Sequence, residues 1–579
     1  MEAVHTARAV AYRRNRNVQI LTILGFTIPI VVYLWYLRHY GLNVVYGDQW
    51  DTVSRIGLSY RGKLTLSSLW AQHNENRIFF PNLIALTLSR VAAFNVVLEQ
   101  YLGAGFLFGA LALIIGAHTR RCPHRTWLAY CPVVILMLSV VQGDNILSGF
   151  QIAWYVILVT LAGVIFILDR ETISRFALLA SIALAIVGSF SSIQGLFIWV
   201  AGLTLLYYRR RSLLHVVIWI GAGTVTTAVY FYNFNWDTGV QAALTAPHLP
   251  AKAVQFLFVL IGDILGVPLT GNGVGADLLL GVGCLVVALA LYTLWTSGRR
   301  RDTESAGPVG LALIVFGLLC ALSTTYGRAF AGVEFAAASR YITFDLLIVV
   351  GTYLTYIAVP GNLVASRAPR RQVTVRTVVA VLLGGVIIVQ ALFGLVNGIR
   401  WARWDRQQLL TTAAVTADIN QIPDVVVAAE LAPGSNPNVL RDGTRILADH
   451  SLCFFADPQS IEYYRKLAAA DWRNGVFRGL ILLLPPTAIV VAPQNGSVVS
   501  GKTFLVASVR NIPNPRRVQF ELIGNDVDRV LDAGQSRYGW ILRWKSSIVP
   551  NGEYRLRTMV IGATGQKTLS QPISIAIKN

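Results

Sequence analysis

Asp48 and Asp51 lie three positions apart in the stretch GDQWD, with Gln49 and Trp50 between them, soon after the first long apolar run ends near Leu37. A carboxylate in such a place can take the proton of an attacking hydroxyl, the task of a general base. The segment AQHNENRIFFPNL, residues 71–83, brings His73, Glu75 and Arg77. Further along, VVQGDNILSGFQ carries Asp144 and Gln151, and YGRAFAGVEFAAASRY carries Arg328, Glu334, Arg340 and Tyr341. Arginine binds phosphate oxygens in bidentate fashion and can stabilise a phosphate as it departs. One base with a set of arginines is enough for an inverting displacement at a phosphate ester of a sugar. Plainer roles compete. Asp48 can be a solvated helix end, His73, Glu75 and Arg77 a polar turn, and Arg328 and Arg340 partners of Glu334 or of lipid headgroups. Trp50 reads as an interface anchor.

The elements that must position these side chains are membrane helices. The chain has 579 residues, 54% hydrophobic and 13% charged, where soluble domains are about a quarter charged. Its mean hydropathy is +0.56. Apolar runs occupy 18–37, 79–97, 101–117, 127–146, 150–168, 173–190, 193–208, 213–233, 253–268, 276–296, 309–327, 341–359 and 377–397. About 20 apolar residues span a bilayer as a helix. The first run has no small-x-small cleavage site at its end and reads as a retained signal anchor.

The net charge of +20 belongs to cytoplasmic loops rather than to a nucleic-acid partner. Basic clusters stand at Arg13/Arg14/Arg16, Arg120/Arg121/Arg125, Arg170/Arg175, Arg209/Arg210/Arg211, Arg299/Arg300/Arg301 and Arg367/Arg370/Arg371/Arg376. All six fall on one side only if two runs do not cross. The run 79–97 carries Arg90, Pro81 and Asn82, and the run 253–268 carries Asp263. A charge at mid-span is costly, so both are expected to lie on or dip into the outer interface. Eleven crossings remain. Residues 1–17 are then cytoplasmic, and 38–100, 142–150, 190–194, 234–275, 328–340 and 398–579 face outward.

The expected fold class is an α-helical polytopic membrane protein over 18–397, with a first outer loop at 38–100, followed by an all-β sandwich. Residues 398–484 mix helical and irregular patterns, and LAPGSNPNVLRDG reads as a loop. From 485 to 579 the period changes to two: AIVVA, KTFLVASV, RVQFELIG, GWILRW, YRLRTMVIG and PISIAI alternate with Gly, Asn and Pro turns. Six or seven short strands predict an immunoglobulin-like sandwich, with Trp540 and Trp544 in its core. The five cysteines lack metal-ligand spacing and predict neither disulfide nor zinc. GNGVG opens a membrane helix with no strand before it, so it is no dinucleotide motif.

A first membrane helix, an outer loop with an acidic motif, interfacial helices and then many more spans resemble the GT-C superfamily of integral membrane glycosyltransferases, which includes protein mannosyltransferases and aminoarabinose transferases. The phrases QHNENRIFFP, GFQ and ASRYITF are similar to those of uncharacterised bacterial proteins of this layout. The resemblance covers residues 18–400. It implies a glycosyltransferase at the outer face of a bacterial plasma membrane, with a polyprenyl-phosphate-linked sugar as donor and a cell-envelope glycan or lipid as acceptor. By position it makes Asp48 the base and Asp51 its understudy. Gln49 interrupts an acidic pair and leaves the base, and a divalent cation as cofactor, open. Two other functions compete: a transporter or flippase of lipid-linked sugars, which would hold its site near mid-membrane, and an envelope scaffold with an adhesive immunoglobulin-like domain. The ionisable residues gather at one face, which favours the transferase.

Overall fold

The computed structural model describes residues 2–123, 125–236, 249–269, 274–299, 307–358, 370–421, 424–432 and 435–470, and 487–579 apart from 494, 511, 513–514, 525, 537–538 and 563–564. Arg300, Arg301, Arg367 and the end of the linker at 471–486 fall outside these residues. The chain divides into two units. The first comprises Met1–Gly41, Thr65–Ile84 and Val97–Ala402, and the second Leu42–Leu64, Ala85–Val96 and Arg403–Asn579.

Among the described residues, seven helices are long and apolar enough to cross a membrane: Arg16–Tyr40, Val96–Arg121, Gly149–Leu168, Leu213–Phe231, Val274–Arg299, Gly307–Arg328 and Val375–Ala417. Five shorter apolar helices accompany them: Phe79–Val91, Trp127–Met137, Arg175–Ser189, Ile193–Tyr208 and Ile342–Ala358. Leucines and β-branched residues such as Ile23, Val31, Val225, Val381 and Ile388 are exposed on the outer helices. Apolar surface of that extent suits a lipid surround rather than water.

Several of the expected runs end elsewhere. The run 127–146 breaks after Met137, and the chain turns through 138–151 by way of short helical turns, Gly143–Leu147 and Gly149–Gln151. This break is buried, not the open loop expected for 142–150: Val140, Val141, Gln142, Asn145 and Leu147 are each at most 2% exposed. Gln142 Nε2 donates to the freed carbonyls of Met137 and Ser139, at 2.9 and 3.0 Å. Irregular backbone at such depth persists only where the protein itself satisfies it. Gly394 and Gly398 let the last long helix approach the break, since a Cβ on Gly398 would stand 2.4 Å from the Val140 carbonyl. That helix runs unbroken from Arg370 to Ala417 rather than stopping at 397. No Gly or Pro interrupts 399–417, so nothing ends it.

The helix Leu249–Gly262 packs inside the first unit. Phe256, Val259, Leu260 and Ile261 are at most 1% exposed within the core of the first unit. Its neighbours Gly307–Arg328 and Ile342–Ala358 meet at glycines. A Cβ on Gly351 would lie 2.4 Å from the Gly310 carbonyl.

The second unit holds a helical layer and the strands. The helix Gln49–Tyr60 packs on Pro437–Asp449, where a Cβ on Gly57 would meet Ile446 Cδ1 at 2.3 Å. Trp50 is not a surface anchor: it is 4% exposed in this core with Val53, Ile56, Leu440 and Leu447. Arg90 lies 3.8 Å over the Tyr60 ring and donates to Ser59, so its charge is accommodated by protein. The supposed loop LAPGSNPNVLRDG is half helix. Asn436 caps Pro437–Asp449 and Pro437 takes the first turn, the place a helix best tolerates proline.

Ten strands follow among the described residues: β1 Thr487–Ala492, β2 Ser497–Val499, β3 Lys502–Arg510, β4 Arg517–Gly524, β5 Val527–Asp532, β6 Gly534–Ser536, β7 Gly539–Lys545, β8 Gly552–Ile561, β9 Lys567–Leu569 and β10 Ile573–Ile577. One sheet has the order β1-β3-β7-β6, and the other β2-β10-β8-β4-β5 with β9 beside β8. Leu505 and Trp544 from the first meet Phe520, Leu556 and Ile575 from the second in one core. Trp540 is 9% exposed in that core. Ala492 and Val506 instead join the helical core of this unit, with Phe504 and Ile541 packed against it.

Replacing Gly351 by leucine is expected to force the Gly307–Arg328 and Ile342–Ala358 helices apart and to cost about 1–3 kcal/mol or more. Thermal unfolding of the detergent-solubilised protein reads this, and an unchanged melt would contradict the close approach.

Candidate functional site

In the first unit the chain from Trp70 to Phe79 is held by one buried arginine. Arg77 is 3% exposed. Its Nε donates to the Tyr230 carbonyl at 2.6 Å, Nη1 to Trp70 O at 2.7 Å, and Nη2 to Tyr232 O at 2.7 Å and Asn233 O at 3.4 Å. Apart from Trp70 O, these are carbonyls at the end of the Leu213–Phe231 helix and just beyond it, where backbone acceptors lose their helical partners. The Tyr230 hydroxyl accepts from the Arg77 backbone N–H at 3.1 Å and donates to the Glu75 carbonyl at 2.9 Å. Burial lowers the Arg77 guanidinium below its ordinary value, with Tyr230 acting the other way. Arg77, expected to touch substrate, is therefore committed to the backbone: each of its three nitrogens donates to a carbonyl.

What this anchor presents is Glu75. Its carboxylate accepts both ends of the Arg328 guanidinium, at 2.7 and 2.8 Å. Tyr341 lies near enough to Arg328 to interact with it electrostatically. Arg340 stands 5.0 Å over the Tyr341 ring and 3.9 Å from Asp144 Oδ2. The Asp144 backbone N–H donates to Ser339 Oγ at 3.0 Å. Five of the expected residues thus gather as two ion pairs, Glu75–Arg328 and Asp144–Arg340, with Tyr341 under Arg340 and within electrostatic reach of Arg328. Arg328 pairs with Glu75 and Arg340 with Asp144. Glu334 is exposed on a single 3-10 turn. His73 packs edge-on to Phe150 at 5.1 Å. Gln151 is half-buried at the end of the turn before the Ile152–Leu168 helix.

The two ion pairs differ in kind. Glu75–Arg328 is bidentate and close, with side chains 17% and 30% accessible, whereas Asp144–Arg340 is looser and 29% and 37% accessible. Burial pushes the Asp144 carboxyl above the ordinary aspartate range, against the pull of Arg340, Ser339 and a backbone hydrogen bond. Beneath it, Asn145 Nδ2 donates to the Arg340 carbonyl and to Thr343 Oγ1, each at 2.7 Å, and Thr343 donates to Gln142 Oε1 at 2.6 Å. This underlayer fixes Arg340. Only its nearness in sequence to Asp144 and Arg340 hints at it.

Asp48 and Asp51 belong to the second unit. Gly47, at φ +58, turns the chain into the Gln49–Tyr60 helix, and its N–H donates to Leu431 O at 2.8 Å. Asp48 is exposed at the N-terminus of that helix and its side chain does not cap it. Asp51 pairs with Arg55 one turn on, at 2.5 Å. Arg55 is 6% exposed, which ties Asp51 to its own helix.

Two acids escaped the sequence reading as site residues. Asp263 and Asp345 are 3% and 2% exposed in the first unit. Asp345 Oδ2 is buried without a hydrogen-bond partner among the described residues. Asp345 sits in the apolar stretch ITFDLL, where a single acid leaves the hydropathy unchanged. Among the described residues no group of three or more His, Cys, Asp or Glu is placed to hold a metal ion.

Arg77→Lys keeps the charge but offers three donors from one point to carbonyls spread around a planar fork. It is expected to cost about 3 kcal/mol or more and to loosen the 71–78 segment, read as faster amide hydrogen exchange there; unchanged exchange would contradict the anchoring role. For Asp144, a folded value above the unfolded aspartate value of about 3.9 means that its contribution is complete below the unfolded value. That contribution is lost as the pH rises through the folded one. Asp144→Asn should flatten this part of the stability–pH curve, and a curve that keeps its slope would place the titration elsewhere.

No family model matches this chain, and no curated protein matches it. Among solved structures it is similar to an endo-beta-1,4-mannanase from Thermotoga petrophila, at 16% identity over 21% of this chain and 24% of that one, with a TM-score of 0.15. It is also similar to an engineered protein, at 16% identity over 26% and 29% of the two chains, with a TM-score of 0.14. The chain spans less than a third of either, and likenesses so slight carry no argument about its fold or activity.

Proposed function

We propose that the protein is an integral membrane glycosyltransferase that moves a sugar from a polyprenyl-phosphate donor to a cell-envelope glycan or lipid. The observation that carries this reading is the pair of ion pairs Glu75–Arg328 and Asp144–Arg340, the latter over the Tyr341 ring, in the first unit. Arg340, loosely paired and accessible, is the phosphate ligand. Arg328, clamped by Glu75, adds fixed positive charge behind it. An acceptor hydroxyl gives its proton to a carboxylate while its oxygen bonds to the anomeric carbon. The bond from that carbon to the phosphate oxygen breaks, and polyprenyl phosphate leaves with its charge held by the guanidinium groups. The geometry favours Asp144 as the base, since it stands beside Arg340 and burial makes it more basic than an ordinary aspartate. The GT-C resemblance gives the same role to Asp48. The immunoglobulin-like reading of the sandwich and the count of eleven crossings, oriented with the tail outside, belong to this same proposal.

A second reading has one observation behind it. Asp263 and Asp345 lie inside the helix bundle rather than at one face, and acids at that depth mark transport paths. A transporter of lipid-linked sugar would depend on Asp345, and a transferase would not.

The test is transfer from a polyprenyl-phosphate sugar in membranes holding each variant at equal abundance. Loss of a general base is worth about 10²–10⁴-fold, so Asp144→Asn should fall by that order and Arg340→Ala should weaken donor use. A loss confined to Asp48→Asn would move the base there. Full transfer by Asp48→Asn, Asp144→Asn and Arg340→Ala would end the transferase reading. Full transfer by Asp345→Asn, with no change in translocation of the lipid-linked sugar, would end the transport reading.

A further inference from the structure

The end of the helix Ile152–Leu168 gathers far more positive charge than its structure needs. Arg121 donates to the Asp169 carbonyl at 2.7 Å and to the Glu171 carboxylate at 3.1 Å. Arg209 Nε donates to Asp169 Oδ1 at 2.8 Å, and Arg211 to the Glu171 carbonyl at 2.6 Å. These three close the helix end, and Asp169, wholly buried, neutralises part of them. Arg120 donates to the Phe166 carbonyl of the same helix end, and it and Arg170 share one ring. Both are exposed, and their guanidinium groups lie 4.0 and 5.6 Å from the centre of the same Phe166 ring. Among the described residues neither forms an ion pair. Five arginines therefore face two carboxylates, and the outer two hold like charges over one ring.

Like charges so placed repel unless an anion sits between them. The repulsion is felt within the cluster, where burial first, and then the charges of Arg209 and Arg121, push the Arg211 guanidinium below its ordinary value. Guanidinium forks match phosphate oxygens. The cluster also lies where an apolar helix ends, the level at which bilayer headgroups begin. Four residues beyond Glu171 starts the helix Arg175–Ser189, packed against Ile152–Leu168, with Phe176 and Leu179 exposed at 85% and 60%. An apolar strip beside a phosphate-sized cation pair suits a ligand with a chain as well as a charge.

We propose that Arg120 and Arg170, over Phe166, bind the phosphate of an anionic phospholipid whose acyl chain lies along Phe176 and Leu179. The site stands apart from the residues assigned to transfer. It docks the helix ends to the basic-cluster side of the bilayer.

Native mass spectrometry of the full-length, delipidated protein titrated with phosphatidylglycerol or phosphatidylcholine tests this. Phosphatidylglycerol should be retained in preference. Arg120→Gln/Arg170→Gln should weaken its binding about thirtyfold, as expected for two cations near a membrane surface. The charge-keeping form Arg120→Lys/Arg170→Lys should retain most of it, and Arg299→Gln/Arg376→Gln should leave it unchanged, which separates the site from general positive charge. Wild-type binding by the glutamine form overturns the proposal. So does displacement of the lipid by equimolar inorganic phosphate, which would make this a free-anion site. A lysine form that binds as poorly as the glutamine form while melting like the wild type also overturns the electrostatic account.

Discussion

The guanidinium of Arg77 is the constraint on which the arrangement of the first unit's polar end depends. It answers backbone carbonyls at the end of the Leu213–Phe231 helix and the Trp70 carbonyl at once. Without it the carbonyl of wholly buried Tyr230 would be a polar group costly to leave without a partner. Because Tyr230 takes the Arg77 N–H and gives its own proton to Glu75 O, the same junction fixes the backbone from which the Glu75 carboxylate meets Arg328. A residue that sequence alone would place among the site residues thus acts behind the Glu75–Arg328 pair, fixing its backbone.

The same economy governs the break after Met137. A chain that leaves the helical ladder inside an apolar bundle must bring its own partners. Gln142 caps the ladder it interrupts, and Thr343 and Asn145 link the break to the carbonyl of Arg340. Close passage of Gly394 and Gly398 makes room for it. Asp144 is therefore carried on buried, hydrogen-bonded backbone rather than on a free loop, which keeps a half-accessible acid beside Arg340.

Much of this was legible in the residues, and the remainder was hidden for definite reasons. The six strand segments named from their alternation appear as β1, β3, β4, β7, β8 and β10. The missed β5, VDRVLD, places charges on both faces, so no period of two shows. The apolar runs told of long helices. Their ends were harder: the last continues to Ala417 because charged and polar residues after 397 are still good helix formers. Trp50 looks like an interfacial tryptophan, yet Gly443 leaves a space that its ring fills. The residues Glu75, Asp144, Arg328, Arg340 and Tyr341 were chosen as polar exceptions in apolar surroundings, and the fold brings these five together. Partners such as Thr343 and Tyr230 look like ordinary helix residues, and only three-dimensional contact shows their part.

The central claim is that this cluster receives a lipid-linked phosphate. Equilibrium binding of a short-chain polyprenyl phosphate to the purified full-length protein tests it most directly, with Arg328→Ala/Arg340→Ala compared with wild type and with Arg120→Gln/Arg170→Gln. The account predicts two classes of binding, of which the first double variant removes one and the second removes only the other. Equal binding by wild type and Arg328→Ala/Arg340→Ala would contradict it.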